Sequence, residues 1–357
     1  MLFQPAITTI SFRHWLYKDG ENRRLLWLCG GAMLLLFTWF KTDCPYPNFI
    51  PDSYSYLQAA YNNDFIHIRP IGYSKFLRLF SSFSRSHMAF VLAQYLFVQG
   101  STLYFLFSVK YLFTPSKWLF RVLLAATVLN PVLLKLANLV TSDALFTALS
   151  LIWFTQLLWM QYRPTLRLLL IHAMVVLVAF TVRYNALWYP VISGIGILST
   201  PLRPRWQPWA AIGAIGVLLA GFVLVTRSEY RRQTHTDQFS AFGGWQVVIN
   251  ALYAYAHVPL IPECEAPASF RSLHGVVNHH MDSLGQLSSR PDNRPGIYYL
   301  SDSHLSIYTY PRIAPMPAFK AIPDAGCGRE LYMALTVVGW RGNTQLPMPG
   351  IFYGPIR

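Results

Sequence analysis

The sequence predicts an all-α polytopic membrane protein, and three observations carry that reading. Hydrophobic residues make up 54% of the 357-residue chain and charged residues only 12%, roughly half the charge of a soluble domain; mean hydropathy is +0.32. The apolar residues gather into runs near the ~20 residues that a helix needs to cross a bilayer. The charges also segregate along the chain. Lys and Arg outnumber Asp and Glu by 29 to 15, and between Asp64 and Glu229 the one acid is Asp143. This apolar content excludes a disordered chain, and four Cys in so long a chain exclude a disulfide scaffold. A nucleic-acid-binding domain would cluster its basic residues on a solvated face. Here they punctuate apolar runs, so the expected partner is the lipid bilayer and no nucleic acid.

Residues 1–24 form an arm with Arg13, Lys18, Arg23 and Arg24. The first span is expected over 25–40. Its apolar core is longer than that of a signal peptide and no small-x-small cleavage site follows Phe40. A long loop, 41–87, comes next. Within it Pro51-Asp52-Ser53, then Tyr56, Leu57, Ala59 and Ala60, predict a helix lying along the membrane surface. Further spans are expected near 88–113, 118–135, 141–160, 166–182, 184–199 and 209–226, about seven in all. The third and fourth read as a tight hairpin, as do the fifth and sixth, which meet at Arg183. Pro131 predicts a kink in the third, and Pro190 a kink or early end in the sixth.

Alternate loops carry Lys117 and Arg121, then Arg163 and Arg167, then Arg203 and Arg205, with no acid after Glu21. The opposite side receives Asp43, Asp52, Asp64, Asp143 and everything after residue 226. The positive-inside rule then places the N-terminus in the cytoplasm, and the first loop and the C-terminal segment outside, as expected for a bacterial inner (plasma) membrane protein. Residues 1–226 hold 18 basic and 6 acidic residues, whereas 227–357 hold 11 and 9, so the net charge of +14 is mostly topology. The segment 227–357 reads as an irregular extracytoplasmic domain, with short apolar stretches at 245–258 and 331–340 that suit interfacial or packed helices.

Three places can carry chemistry. In the first loop Asp52 sits at a helix start, where it is either an N-cap or an ionised functional carboxylate. Arg69-Pro70 fixes an arginine before a rigid turn, suited to phosphate or to solvent. Asp143, in Thr141-Ser142-Asp143-Ala144-Leu145-Phe146, falls in the first turn of a helix that Thr141 or Ser142 can cap, and an acid at a membrane boundary is a functional candidate by default. Arg183, in Thr181-Val182-Arg183-Tyr184-Asn185-Ala186, lies alone at an outer edge, where it suits an anionic headgroup or a pairing with Asp143 or Asp52.

Taken in order, the Asp-Ser-x-x-Tyr loop, Arg-Pro-x-Gly-Tyr, Asn-Pro, Thr-Ser-Asp-Ala-Leu-Phe and outward Arg-Tyr-Asn-Ala resemble the GT-C superfamily of integral-membrane glycosyltransferases. The likeness is to the protein mannosyltransferase and aminoarabinose–lipid A transferase group, over about residues 25–200. The resemblance implies inverting sugar transfer from a polyprenyl-phosphate donor to a lipid, glycan or protein acceptor. Asp52 would be the general base or orient the acceptor, with Asp143 as the second-loop acid. Arg69 and Arg183 would lie near the lipid phosphate, and Tyr54, Tyr56 and His67 complete the substrate-binding set. Asp43 is the rival base. No cofactor is required, and the residue types leave a role for divalent Mg or Mn open. Family members commonly have more spans, with a soluble domain after the last, and many have a second acid where this chain has Ser53; the fewer spans and the patternless stretch 314–357 leave open a truncated or frame-shifted C-terminus. Two other readings compete: a transporter or flippase for an anionic lipid or lipid-linked sugar, and a non-catalytic membrane assembly protein. Transporters tend to carry inverted or parallel repeats, and none is evident. His274, His279 and His280 fit no metal-ligand spacing, and Cys44, Cys264 and Cys327 leave any disulfide pairing undetermined.

Overall fold

The computed structural model describes residues 10–200 and 206–243, with positions 271, 274, 275, 278 and 279 beyond them. The described elements are helical: α1 (Phe12–Lys18), α2 (Gly20–Asp43), α3 (Pro51–Asn62), α4 (Gly72–Phe83), α5 (His87–Phe113), α6 (Lys117–Val128), α7 (Pro131–Asn138), α8 (Ser142–Tyr162), α9 (Leu166–Val182), a 3-10 turn (Tyr184–Trp188), α10 (Tyr189–Leu198) and α11 (Trp206–Thr234). One isolated parallel bridge joins Asn48 to Leu139. The stretches at 245–258 and 331–340, and Cys264 and Cys327, lie outside the described residues.

Among the described residues five helical stretches are long and apolar enough to cross a membrane: Gly20–Asp43, His87–Phe113, Lys117–Asn138, Ser142–Tyr162 and Trp206–Thr234. Leu166–Val182 is apolar but shorter, and α10 shorter still. Each of the seven expected spans is therefore helical, the sixth beginning as a 3-10 turn, but among the described residues only five stretches reach spanning length.

Two prolines explain local departures. The kink expected at Pro131 is a full interruption between α6 and α7. The Asn130 side chain caps α7 by accepting from the Val132 N–H at 2.9 Å, with Pro131 in the first turn, where its missing N–H costs nothing. Pro190 was expected to kink or end a helix. It instead sits in the first turn of α10, after the 3-10 turn, for the same reason.

The helices pack around aromatic and aliphatic residues of α2, α5 and α8, such as Phe37, Tyr95, Phe107 and Leu145. A second cluster joins α8, α9, α10 and α11 through Trp153, Met160, Val176, Ile197 and Ile215. Several polar groups inside the bundle are satisfied across helices, although Gln99 Oε1 and Thr141 Oγ1 are buried without a partner among the described residues. Trp153 Nε1 donates to Ser193 Oγ at 2.9 Å, and His172 lies between Ser193 Oγ (2.8 Å) and Gln156 Oε1 (3.1 Å), as polar side chains in an apolar bundle require.

What positions the functional end is the lacing of the first loop to the α7–α8 connection. The Lys41 ammonium is buried and donates to Asn138 Oδ1 at 2.6 Å and to the Cys44 carbonyl at 3.3 Å. Asn138 Nδ2 donates to the Tyr46 carbonyl at 3.2 Å. The backbone then pairs twice, Asn48 N–H to Asn138 O and Val140 N–H to Asn48 O. These bonds bring the start of α3 beside the start of α8.

Candidate functional site

The surface helix expected in the first loop is α3. Its N-cap position is Ile50, and Ser53 Oγ accepts from the Ile50 N–H at 3.0 Å. The capping role allowed for Asp52 is thus taken by Ser53, and the Asp52 carboxylate pairs with the Arg69 guanidinium. The long loop also contains a second helix, α4, that the sequence reading left as loop. Its side chains terminate α3: Lys75 Nζ donates to Asn63 O and Oδ1 (3.1 and 2.9 Å), and Arg78 to the carbonyls of Ala60 and Tyr61 (3.0 and 3.2 Å). These are the last carbonyls of a helix, which have no intrahelical partner. Asn63 closes α3 in the left-handed conformation at φ 59°, which Asn tolerates.

At its N-terminus α4 meets the end of α9. A Cβ on Gly72 would lie 2.5 Å from Thr181 Oγ1 and 2.6 Å from the Thr181 backbone carbonyl, so this close approach requires glycine.

The second acid is handled the same way. Thr141 occupies the N-cap position of α8 but makes no side-chain cap, and the Ser142 hydroxyl is engaged elsewhere. The capping expected of one or the other is absent. Asp143 lies in the first turn and accepts from Arg183 Nη1 at 2.6 Å. Arg183, the C-cap residue of α9, therefore chooses Asp143 from its two expected partners. A carboxylate in a first turn and an arginine at a C-terminus each also complement their helix dipole.

Tyr56 links the two pairs. Its ring lies 6.0 Å from the Arg69 guanidinium and 4.9 Å from the Tyr73 ring, edge on. Its hydroxyl meets Ser142 Oγ at 3.1 Å. Burial raises the Tyr56 pKa, although the Ser142 hydrogen bond and the charges of Arg69 and Arg183 pull against it. Tyr73 is fully buried and raised further, first by burial and then by the neighbouring Tyr56 and Asp143. Both phenols therefore stay protonated at neutral pH. Tyr73 donates to Gln94 Oε1 at 3.0 Å, and Gln94 Nε2 donates to the Ala137 and Leu139 carbonyls (3.0 and 3.3 Å).

Chain from beyond α11 returns over this cluster. The Phe242 ring lies 4.9 Å from the Arg69 guanidinium, and Phe239 stands 4.6 Å from Tyr184 and 5.9 Å from Phe180. Tyr230 donates to the His67 carbonyl at 2.7 Å. Burial, helped by Arg69, lowers the His67 pKa to about 4, so its imidazole is neutral beside the arginine.

Next to the cluster opens a half-enclosed cleft of about 830 Å³, walled by α4, α5, α8, α9 and α11, well within the size of ligand sites. Its walls are apolar, with Phe76, Phe97, Leu149 and Phe222 among them. Leu145, Val182 and Ile71 connect it to the neighbourhood of Asp143, Arg183 and Arg69.

Of the residues expected to act together, Asp52, Arg69, Tyr56, Asp143 and Arg183 converge, and His67 borders them. The Tyr54 ring packs 6.3 Å from Phe49. Sequence reasoning missed Ser142 as a partner, Gln94, Phe239 and Phe242. Gln94 had a signal, an amide within an apolar run; the two phenylalanines had none. Among the described residues no three His, Cys, Asp or Glu side chains gather as a metal centre would need. Asp52 and Asp143 each face a guanidinium, so a divalent ion would have to displace an arginine from either. Compared with protein-family models, curated proteins and solved structures, the chain matches none.

Proposed function

We propose that this protein is a GT-C-like glycosyltransferase of the bacterial inner membrane, with its N-terminus in the cytoplasm. It would transfer a sugar from a polyprenyl-phosphate donor to an acceptor hydroxyl on the extracytoplasmic face. One observation carries the reading. Two carboxylate–arginine pairs, distant in sequence, are joined through Tyr56 and Ser142 at a single end of an apolar helical bundle.

Seven passes fit the connectivity. Asp143 at the start of α8 meets Arg183 at the end of α9, so these helices run antiparallel over the same depth, although α9 has only 17 residues. The 3-10 turn with α10 then leads away from that end, and α11 returns to it, where Tyr230 reaches His67.

Each residue type has a task. Asp52 accepts the proton of the acceptor hydroxyl as the new oxygen–carbon bond forms at the sugar's anomeric centre. The bond from that carbon to the phosphate oxygen breaks with inversion, and the electron pair leaves on the polyprenyl phosphate. Arg69 and Arg183 stabilise the charge that collects on that phosphate. Asp143 holds Arg183 in place and keeps its charge compensated before donor binds. Phosphate arriving at Arg69 weakens its hold on Asp52 and frees the carboxylate to act as base.

The test is Asp52→Asn in the full chain reconstituted with a polyprenyl-phosphate sugar. Transfer should fall by about 10³-fold, the upper-middle range for loss of a general base, while membrane insertion holds and thermal stability falls only as far as in Asp143→Asn, which leaves the other arginine without its carboxylate. Undiminished transfer would remove Asp52 from the role of base.

A further inference from the structure

The cleft contains two opposite charges that do not neutralise each other. Lys75 and Glu229 both line it, yet no ion pair joins them; Lys75 is instead bonded to Asn63, and Glu229 to Arg232 and Gln233. The Glu229 carboxylate is only 17% exposed. Arg232 and Gln233 both donate to its Oε1, at 3.1 and 2.5 Å, and among the described residues no donor reaches Oε2. An ammonium has three donors. Lys75 uses two on Asn63, with the Phe65 ring 4.6 Å away and the Asp64 carboxylate near enough to favour its charge without forming an ion pair. Each charge is therefore held by neighbours with bonding capacity left over, at the edge of an apolar space of about 830 Å³. The occupant that satisfies all three features has a hydrocarbon body, an anionic acceptor for Lys75 and a cationic N–H donor for Glu229.

We propose that this cleft is a binding site for a phospholipid with a phosphoethanolamine head group. Its acyl chains lie among Phe76, Phe97, Leu149 and Phe222, its phosphate meets Lys75, and its primary ammonium donates to Glu229 Oε2. A choline head group has no N–H to donate, and a phosphatidylglycerol or a polyprenyl phosphate has no cation. Recognition should therefore order these lipids by the hydrogen bond at Glu229 and not by their tails. The inference goes beyond the proposed sugar transfer and stands whether or not Asp52 is a base, because its readout is binding.

The experiment equilibrates the purified full chain with mixed vesicles holding equal amounts of phosphatidylethanolamine, phosphatidylglycerol and phosphatidylcholine, and quantifies retained lipid by mass spectrometry. Phosphatidylethanolamine should be enriched over both others. Glu229→Gln should weaken its retention about tenfold, the loss of one charge-assisted hydrogen bond. Val225→Trp places a large ring into the cleft from an exposed position of α11, and should abolish selective retention without disturbing the core. Asp52→Asn should retain lipid like the unaltered chain. Retention that mirrors vesicle composition, equal retention by Glu229→Gln, or displacement of phosphatidylethanolamine by an equal amount of polyprenyl phosphate would each overturn the assignment.

Discussion

Both ends of the helical bundle carry acid–base pairs, and the difference between them lies in the cations. At the end opposite α3 and α4, Glu21 faces Arg121 at 2.9 Å and Lys117 at 3.8 Å, and those cations are 59% and 77% exposed. At the α3–α4 end Arg69 and Arg183 are 21% and 37% exposed, although their acids are as accessible as Glu21. A long cation free in solvent gains little from one partner, because water and salt compete. An arginine wedged among aromatic rings, one carboxylate to each, is held in a geometry that an arriving anion can use. The contrast teaches that an ion pair marks a site when its cation is constrained, not merely when it is paired.

The largest expected disruption strikes the packing that constrains Arg69. Gly72→Ala would drive a methyl group against the Thr181 backbone, which cannot rotate away as a side chain would. Overpacking of this kind costs about 2–3 kcal/mol, here by pushing α4 off α9. The change should lower the unfolding temperature and depress transfer together, and Thr181→Ala in the same chain should fail to restore either, since the clash is with backbone. Full activity in Gly72→Ala would mean that the α3–α4 end does not depend on this contact.

Next in size is removal of an acid from the constrained end. Asp143→Asn leaves Arg183 half-buried without its counter-ion. Breaking a fully buried pair costs about 3–5 kcal/mol, and partial exposure reduces the expectation to about 2 kcal/mol. Thermal unfolding in micelles measures it, and a loss below about 0.5 kcal/mol would erase the distinction between the two ends.

Much of this arrangement was legible in the sequence, for identifiable reasons. The apolar runs announce the helices because apolar length is the direct requirement of a bilayer. Asp143 and Arg183 stand out by isolation, and a short α8–α9 connection at Arg163–Thr165 forces their helix ends together. The Asp52–Arg69 pair is less legible. It depends on α4 folding back on α3, and that turn is set by Asn63, Lys75, Arg78 and the Gly72–Thr181 approach, none of which is a periodic signal. Phe239 and Phe242 follow a membrane helix by several residues and reach the cluster only through the path of the whole chain. Pro190 reads equally as a helix breaker or a helix start, and what precedes it decides: the 3-10 turn places it in a first turn.

The pH response should also differ between the ends. His67 titrates at about 4 when folded and near 6.5 when unfolded, so over that interval the unfolded chain binds more protons and stability falls as pH is lowered. His67 is not fully enclosed, so the loss from pH 7 to pH 4 should be on the order of 1 kcal/mol. His67→Asn should flatten that part of the curve. The charged groups facing His67 include Arg69, whose field favours the neutral imidazole, and the measurement is the acid limb of thermal stability in the two chains. An identical limb in both would place the acid sensitivity elsewhere.

The smallest expected effect is the most exacting for the comparison. Glu21→Gln removes an acid with two cations within 4 Å, so a count of ion pairs predicts more damage there than at Asp143, which has one. Exposure predicts the reverse. Arg121 and Lys117 can turn to water, and the change should cost less than about 0.5 kcal/mol, fading further as salt rises. Asp143→Asn should keep most of its cost in high salt, because its arginine has less solvent to turn to. If both variants lost stability equally and with the same salt dependence, constraint of the cation would not be what distinguishes the α3–α4 end. The convergence of Asp52, Asp143 and their arginines would then be no better an indicator of chemistry than the Glu21 cluster.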